Sequence, residues 1–176
     1  ADVSIRIALI VGLAASLIAL TACSRGGGDS GDPGSPESAG ALSTGNAAVA
    51  AKVRIAARAL AEPEPSVEYV AAELKGVIKA RTSSQALIHY DGYRVTLTTP
   101  GGRVTRIKFD LVEARPTMGQ LTRIFGKPEE VGRGMLYRYR SQVTGATIRV
   151  LAEPASKPAT ETSLARRILI EGESIR

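Results

Sequence analysis

The hydrophobic period of this chain changes from helical to alternating near residue 85 and does so again after residue 126, which confines each stretch to one kind of element. From Asn46 to Glu62 the apolar residues Val49, Val53, Ala56, Ala57 and Leu60 recur at helical spacing, with Asn46 as a cap and Pro63 and Pro65 as a stop. A second helix is predicted from Ser66 to Ala80: Val67, Val70, Ala71, Leu74, Val77 and Ile78 fit the i, i+3, i+4, i+7 template. Ser66 caps it and Glu68 suits the positive end of its dipole. Gln85 to Tyr90, Tyr93 to Thr99 and Arg103 to Leu111 then read as strands, joined by Asp91-Gly92 and by Pro100-Gly101-Gly102. The Asp-Gly connection predicts a type I′ hairpin, whose central residues both need positive φ. In the third strand Thr105, Ile107, Phe109 and Leu111 share one face while Arg106, Lys108 and Asp110 share the other. One face of such a sheet meets the core and the other meets water.

Residues 116–171 follow the same plan. Pro116-Thr117 opens a helix as Pro65-Ser66 does, and Thr117 with Gln120 makes a capping box. Met118, Leu121, Ile124 and Phe125 line one side of it, and Gly126 and Pro128 end it. Strands are predicted at Met135 to Arg140, Thr147 to Leu151 and Leu164 to Glu171. Ala86–Tyr90 answers Met135–Tyr139, and Val104–Asp110 answers Ala165–Glu171. The expected fold class is α+β, with helices packed on antiparallel sheet in two tandem helix-plus-three-strand units, residues 46–111 and 112–176.

Ahead of these units, Ile7 to Ala22 is sixteen residues without a charge, following Arg6. A helix needs about 20 such residues to cross a bilayer core, so the segment fits the apolar region of a secretory signal, residues 1–22. Leu20-Thr21-Ala22-Cys23 resembles the bacterial lipobox. The resemblance implies that Leu20, Thr21 and Ala22 are recognised by the signal peptidase and that Cys23 carries the acyl chains. By the same resemblance, Ser24 rather than Asp after the lipidated position implies, in a Gram-negative cell, the periplasmic face of the outer membrane. Residues 23–45 are mostly Gly, Ser, Pro and acid and are expected to form a flexible tether, reaching about 25 Å from the bilayer on average.

Thr117-Met118-Gly119-Gln120-Leu121-Thr122-Arg123-Ile124-Phe125-Gly126-Lys127-Pro128, followed by Leu136-Tyr137-Arg138-Tyr139, resembles the SmpA/OmlA (BamE-like) family of small outer-membrane lipoproteins. Members carry a helix ending in Gly-x-Pro and then antiparallel strands, the first with an aromatic-x-Tyr pair. The likeness spans about 55 of the 176 residues, or about 130 if the first half is a diverged copy. It implies an accessory part in β-barrel assembly. Two tandem helix-plus-sheet units also resemble the architecture of the β-lactamase inhibitor protein, which implies a module that binds and blocks a periplasmic enzyme.

One cysteine and one histidine in the chain exclude an intramolecular disulfide and a multi-thiolate zinc site, and leave any triad to be built around a single imidazole. No catalytic residue, metal or cofactor is expected. His89 falls on a predicted strand with no second ligand nearby, and Gly26-Gly27-Gly28 and Gly101-Gly102 lack the Lys-Ser/Thr of a phosphate loop. Before Ala51 the basic residues are Arg6 and Arg25 and the acidic ones Asp2, Asp29, Asp32 and Glu37; residues 51–176 therefore hold 21 of the 23 basic and 13 of the 17 acidic side chains, a net of +8. Fifteen of those 21 are Arg, which prefers bidentate contact with carboxylate or phosphate. For an exported, lipidated chain the expected partners are the membrane, through the acyl chains on Cys23, an envelope protein such as a β-barrel assembly component, and an anionic lipid surface, with nucleic acid excluded. Tyr137, Arg138, Tyr139 and Arg140 form the candidate binding strand, with the tyrosines expected on one face and the arginines toward solvent.

Overall fold

Strands with one apolar and one charged side bury a single face, and helices with one apolar stripe supply its cover. In the computed structural model, which describes residues 37–172, the chain runs from α1 (Glu37–Leu60) through α2 (Val67–Glu73) into β1 (Ile78–Arg81), β2 (Gln85–Tyr90), β3 (Tyr93–Thr98) and β4 (Arg106–Leu111). After α3 (Met118–Phe125) come β5 (Glu129–Val131), β6 (Gly134–Arg140), β7 (Thr147–Pro154) and β8 (Ala165–Gly172). Leu20, Thr21, Ala22, Cys23 and the tether as far as residue 36 lie outside the described residues. Among the described residues no helix is long and apolar enough to cross a membrane.

All eight strands belong to one antiparallel sheet in the order β1-β2-β3-β4-β8-β7-β6-β5. This corrects the expectation of two tandem helix-plus-three-strand units: each half contributes four strands, and β4 and β8 pair directly to make one sheet with one core. Ile107 stands opposite Ile170 and Phe109 opposite Ile168 across that pair, and all four side chains are fully buried. α1 packs on β8, β4 and β7, with α2 and α3 against its flanks. Its small residues Ala56, Ala57 and Ala59 are fully buried and let the helix approach its neighbours closely.

The helices are tied to the sheet at their starts. Ser66 caps α2 by accepting from the Tyr69 amide at 3.1 Å, and Thr117 caps α3 in a complete capping box with Gln120. Immediately before each cap a carbonyl accepts an amide at or just ahead of a strand: Val104 N–H, two residues before β4, donates to the Pro65 carbonyl, and Ala165 N–H, the first of β8, to the Pro116 carbonyl, both at 2.8 Å. Each helix entry is thereby fixed to the segment leading into the last strand of its own half.

Several boundaries differ from the sequence expectations. α1 begins at Glu37, within the Gly/Ser/Pro tract, so Asn46 lies inside it. The Asn46 side chain accepts from the Arg115 amide at 2.8 Å instead of capping, which joins α1 to the β4–α3 connection. α2 stops at Glu73, well short of Ala80, because Lys75 turns left-handed at φ 51° and redirects the chain into β1. The Leu74 carbonyl that this break frees accepts the Tyr90 hydroxyl at 2.9 Å and also the Lys52 ammonium, which sits 4.5 Å above the Tyr90 ring. Asp91-Gly92 does join β2 to β3, but only Gly92 has positive φ (77°), so the turn is not type I′.

Gly76 permits this break. A Cβ there would lie 2.3 Å from the Tyr90 hydroxyl and 2.5 Å from Ile88 Cγ2. Gly76→Ala is therefore expected to destabilise the fold by about 1–3 kcal/mol through overpacking. Gly45→Ala, where a Cβ meets open space, should be neutral or slightly stabilising within a helix. Denaturant midpoints of the two variants check this directly.

Candidate functional site: the open sheet face

Because successive residues of a strand point to opposite sides, burying Ile107, Phe109, Val150 and Ile168 beneath the helices sends their neighbours to the other face. That face is lined in three rows running across the strands. The middle row is Leu87, Thr96, Lys108, Leu169, Leu151 and, at its buried end, Leu136. On one side of it stand Gln85, Thr98, Arg106, Glu171, Arg149 and Arg138; on the other stand His89, Arg94, Asp110, Arg167 and Glu153. Leu87, Leu151 and Leu169 are half-buried. No described helix packs over them. Lys108, Leu151, Leu169 and Arg167 line a shallow concavity of about 420 Å³ at the centre of the face.

The charged rows are cross-linked. Arg106 and Arg149 both meet Glu171, at 3.1 and 3.5 Å; Arg167 lies 3.5 Å from both Asp110 and Glu153; and Lys108 reaches Asp110 at 3.0 Å. These pairs are substantially exposed, so each adds at most about 1 kcal/mol to stability. Their larger consequence is to hold long side chains in place around the leucines. Basic residues outnumber acidic ones on this face, but Asp110, Glu153 and Glu171 are interspersed among them, so its field favours single acidic side chains placed opposite the arginines.

The candidate strand, β6, divides as its alternation requires. Arg138 and Arg140 are exposed on the open face, while Tyr137 is 1% exposed and Tyr139 packs partly against the core. Tyr137 is therefore a structural residue rather than a contact. Its hydroxyl donates to the Met118 carbonyl at 3.3 Å and lies 3.4 Å from Thr122 Oγ1, and its ring packs tilted against Phe125. Tyr139 lines a second concavity on the helix side, with Ala51, Arg54, Ile55, Arg58 and Ile124. Arg58 there is held by Glu73 at 2.6 Å.

His89 is exposed at the margin of the open face, opposite Arg94. Among the described residues no three His, Cys, Asp or Glu side chains converge as metal ligands would. Sequence reasoning missed Arg149, Leu151, Arg167 and Leu169 as members of one surface. The alternation of Arg149, Leu151 and Glu153 along β7 was the available signal, but what stands beside them depends on the β7–β8 and β6–β7 registers.

Burial raises the Tyr137 hydroxyl above the ordinary phenol range, pushes Tyr90 up to about 12, and raises Tyr93 further. A folded-state pKa above the unfolded value means that the stability tied to the neutral phenol is complete below pH 10 and is lost as pH climbs toward the folded value. Tyr137→Phe is expected to cost about 1 kcal/mol at pH 8 through the lost hydrogen bond. That gap should narrow above pH 10, because the variant lacks the group that ionises on unfolding; denaturant titrations at pH 8 and 11 measure it. Set against protein-family models, curated proteins and solved structures, the chain matches none.

Proposed function

We propose that this chain is a non-catalytic lipoprotein, held to the periplasmic face of the outer membrane by acylated Cys23, that binds an envelope protein through the open face of its sheet. The observation that carries this is the face itself. Half-buried leucines lie in the middle of an eight-stranded sheet, flanked by arginines whose positions are set by ion pairs, with no described helix to cover them. Small apolar centres with charged borders are the usual anatomy of a protein interface. The lipobox-like Leu20-Thr21-Ala22-Cys23 supplies the address, and the likeness of residues 117–139 to the SmpA/OmlA family supports a place in envelope assembly. An enzyme-blocking role uses the same face, since a broad sheet surface can cover the mouth of an active site.

The test is capture from native membranes with the acylated full chain. Mass spectrometry of the mature protein should find an acyl-modified Cys23 at its amino terminus. β-barrel assembly subunits should be retained by the wild type and lost when Leu151 and Leu169 are both replaced by Glu. A hydrolase captured in their place assigns the enzyme-blocking role. An unmodified Cys23 contradicts the anchor, and capture that survives the double replacement contradicts the face.

A further inference from the structure

Across β8, β7, β6 and β5 the open face carries, in order, Glu171, Arg149, Arg138 and Glu129. Arg149 is the register partner of both Glu171 and Arg138. Glu129 is paired with Leu136, two residues before Arg138, and its carboxylate reaches Arg138 at 3.0 Å. The Arg149 guanidinium turns the opposite way, to Glu171 at 3.5 Å, and Glu171 is already shared with Arg106 at 3.1 Å. The two arginines thus leave the backbone at one register pair, with Cβ atoms about 4.5–5.5 Å apart, while each guanidinium is drawn outward by its own carboxylate.

Like charges directly opposite each other weaken a sheet, so the arrangement is unfavourable to the fold by itself. An anionic group between them reverses the sign of the interaction, and two planar guanidinium forks suit the two oxygens of a carboxylate. Leu151 lies two residues along β7 from Arg149 on the same face, with Leu169 as its register partner on β8. We propose that Arg138 and Arg149 form a clamp for a carboxylate of a partner protein, whose adjacent apolar residue rests on Leu151 and Leu169. This rests on the protein-binding role proposed above for the open face. A protein carboxylate fits better than an anionic bilayer because Asp110, Glu153 and Glu171 share the face. A uniformly negative surface meets all of those acids, whereas a single side chain at the clamp meets only Glu129 and Glu171, each already paired with an arginine.

The probe is a blocked peptide alternating leucine and glutamate, titrated into the full chain. A leucine–glutamine peptide and phosphatidylglycerol vesicles are run in parallel. The glutamate peptide should shift the side-chain Nε–Hε resonances of Arg138 and Arg149. Arg138→Gln and Arg149→Gln should each weaken its binding about tenfold, the size of one charge-assisted hydrogen bond. Arg123→Gln, on α3, should leave binding unchanged. The thermal midpoints of the two clamp variants should stay close to that of the wild type, because each loses one exposed ion pair together with the opposed charge, so the loss of binding is separated from a loss of fold. Equal binding of the glutamine peptide, or wild-type affinity in both clamp variants, overturns the clamp. So does binding confined to the vesicles, which assigns the arginines to lipid. Membrane capture that survives Arg138→Gln/Arg149→Gln overturns the clamp while the open-face role stands. Peptide binding at the clamp with no protein captured overturns that role and leaves the carboxylate site standing.

Discussion

The two halves of the chain meet in the β4–β8 pair. Ile107 and Phe109 come from one half and Ile168 and Ile170 from the other, and their register sets all four side chains under α1. Each such side chain contributes about 1.5–3 kcal/mol when fully buried, and the two sets belong to one core. The pair also fixes what lies on the reverse side. Arg106 stands opposite Glu171 and Asp110 opposite Arg167 because Ile107 and Phe109 take the positions they do. A one-residue slip would exchange the two faces and put these charges into the core. The open face is in that sense a by-product of core packing, and its geometry is as well determined as the core.

The local grammar of the chain was legible in its residues. The alternation of Ile107, Phe109 and Leu111 with Arg106, Lys108 and Asp110 announces a half-buried strand, and Thr117 with Gln120 announces a capped helix; both are present. What was not legible depends on longer-range partners. Val77 and Ile78 continue the helical template of α2 and so were absorbed into it, yet Val77 is 67% exposed and Ile78 opens β1. The reason is the left-handed Lys75, a conformation unusual for a lysine. β5, Glu-Glu-Val, has no apolar alternation and is a strand only because β6 offers it an edge. These two short strands are the reason each half holds four rather than three. Their brevity and the charges of Lys79, Arg81, Glu129 and Glu130 also suit sheet edges, where long apolar strands invite aggregation.

The candidate site divides along the same line. The opposite facing of Tyr137 and Arg138 follows from period two alone. The company Arg138 keeps does not, because Arg149 and Glu129 reach it only through the registers of β6 with β7 and β5. A strand of alternating Tyr and Arg looks like a hot spot in sequence, but the fold assigns Tyr137 to packing against Met118, Thr122 and Phe125 and sets Tyr139 in a concavity on the helix side. The basic half is left to the surface.

Everything on the open face depends on the two halves sharing one sheet, so the decisive measurement is native-state hydrogen exchange across a denaturant series. If β4 and β8 form the central pair, their amides should exchange only through global unfolding, and residues on both sides of the α3 entry should share a single midpoint. Two separate midpoints, with β4 and β8 amides exchanging independently, would show that the halves fold as distinct units and that the continuous face does not exist.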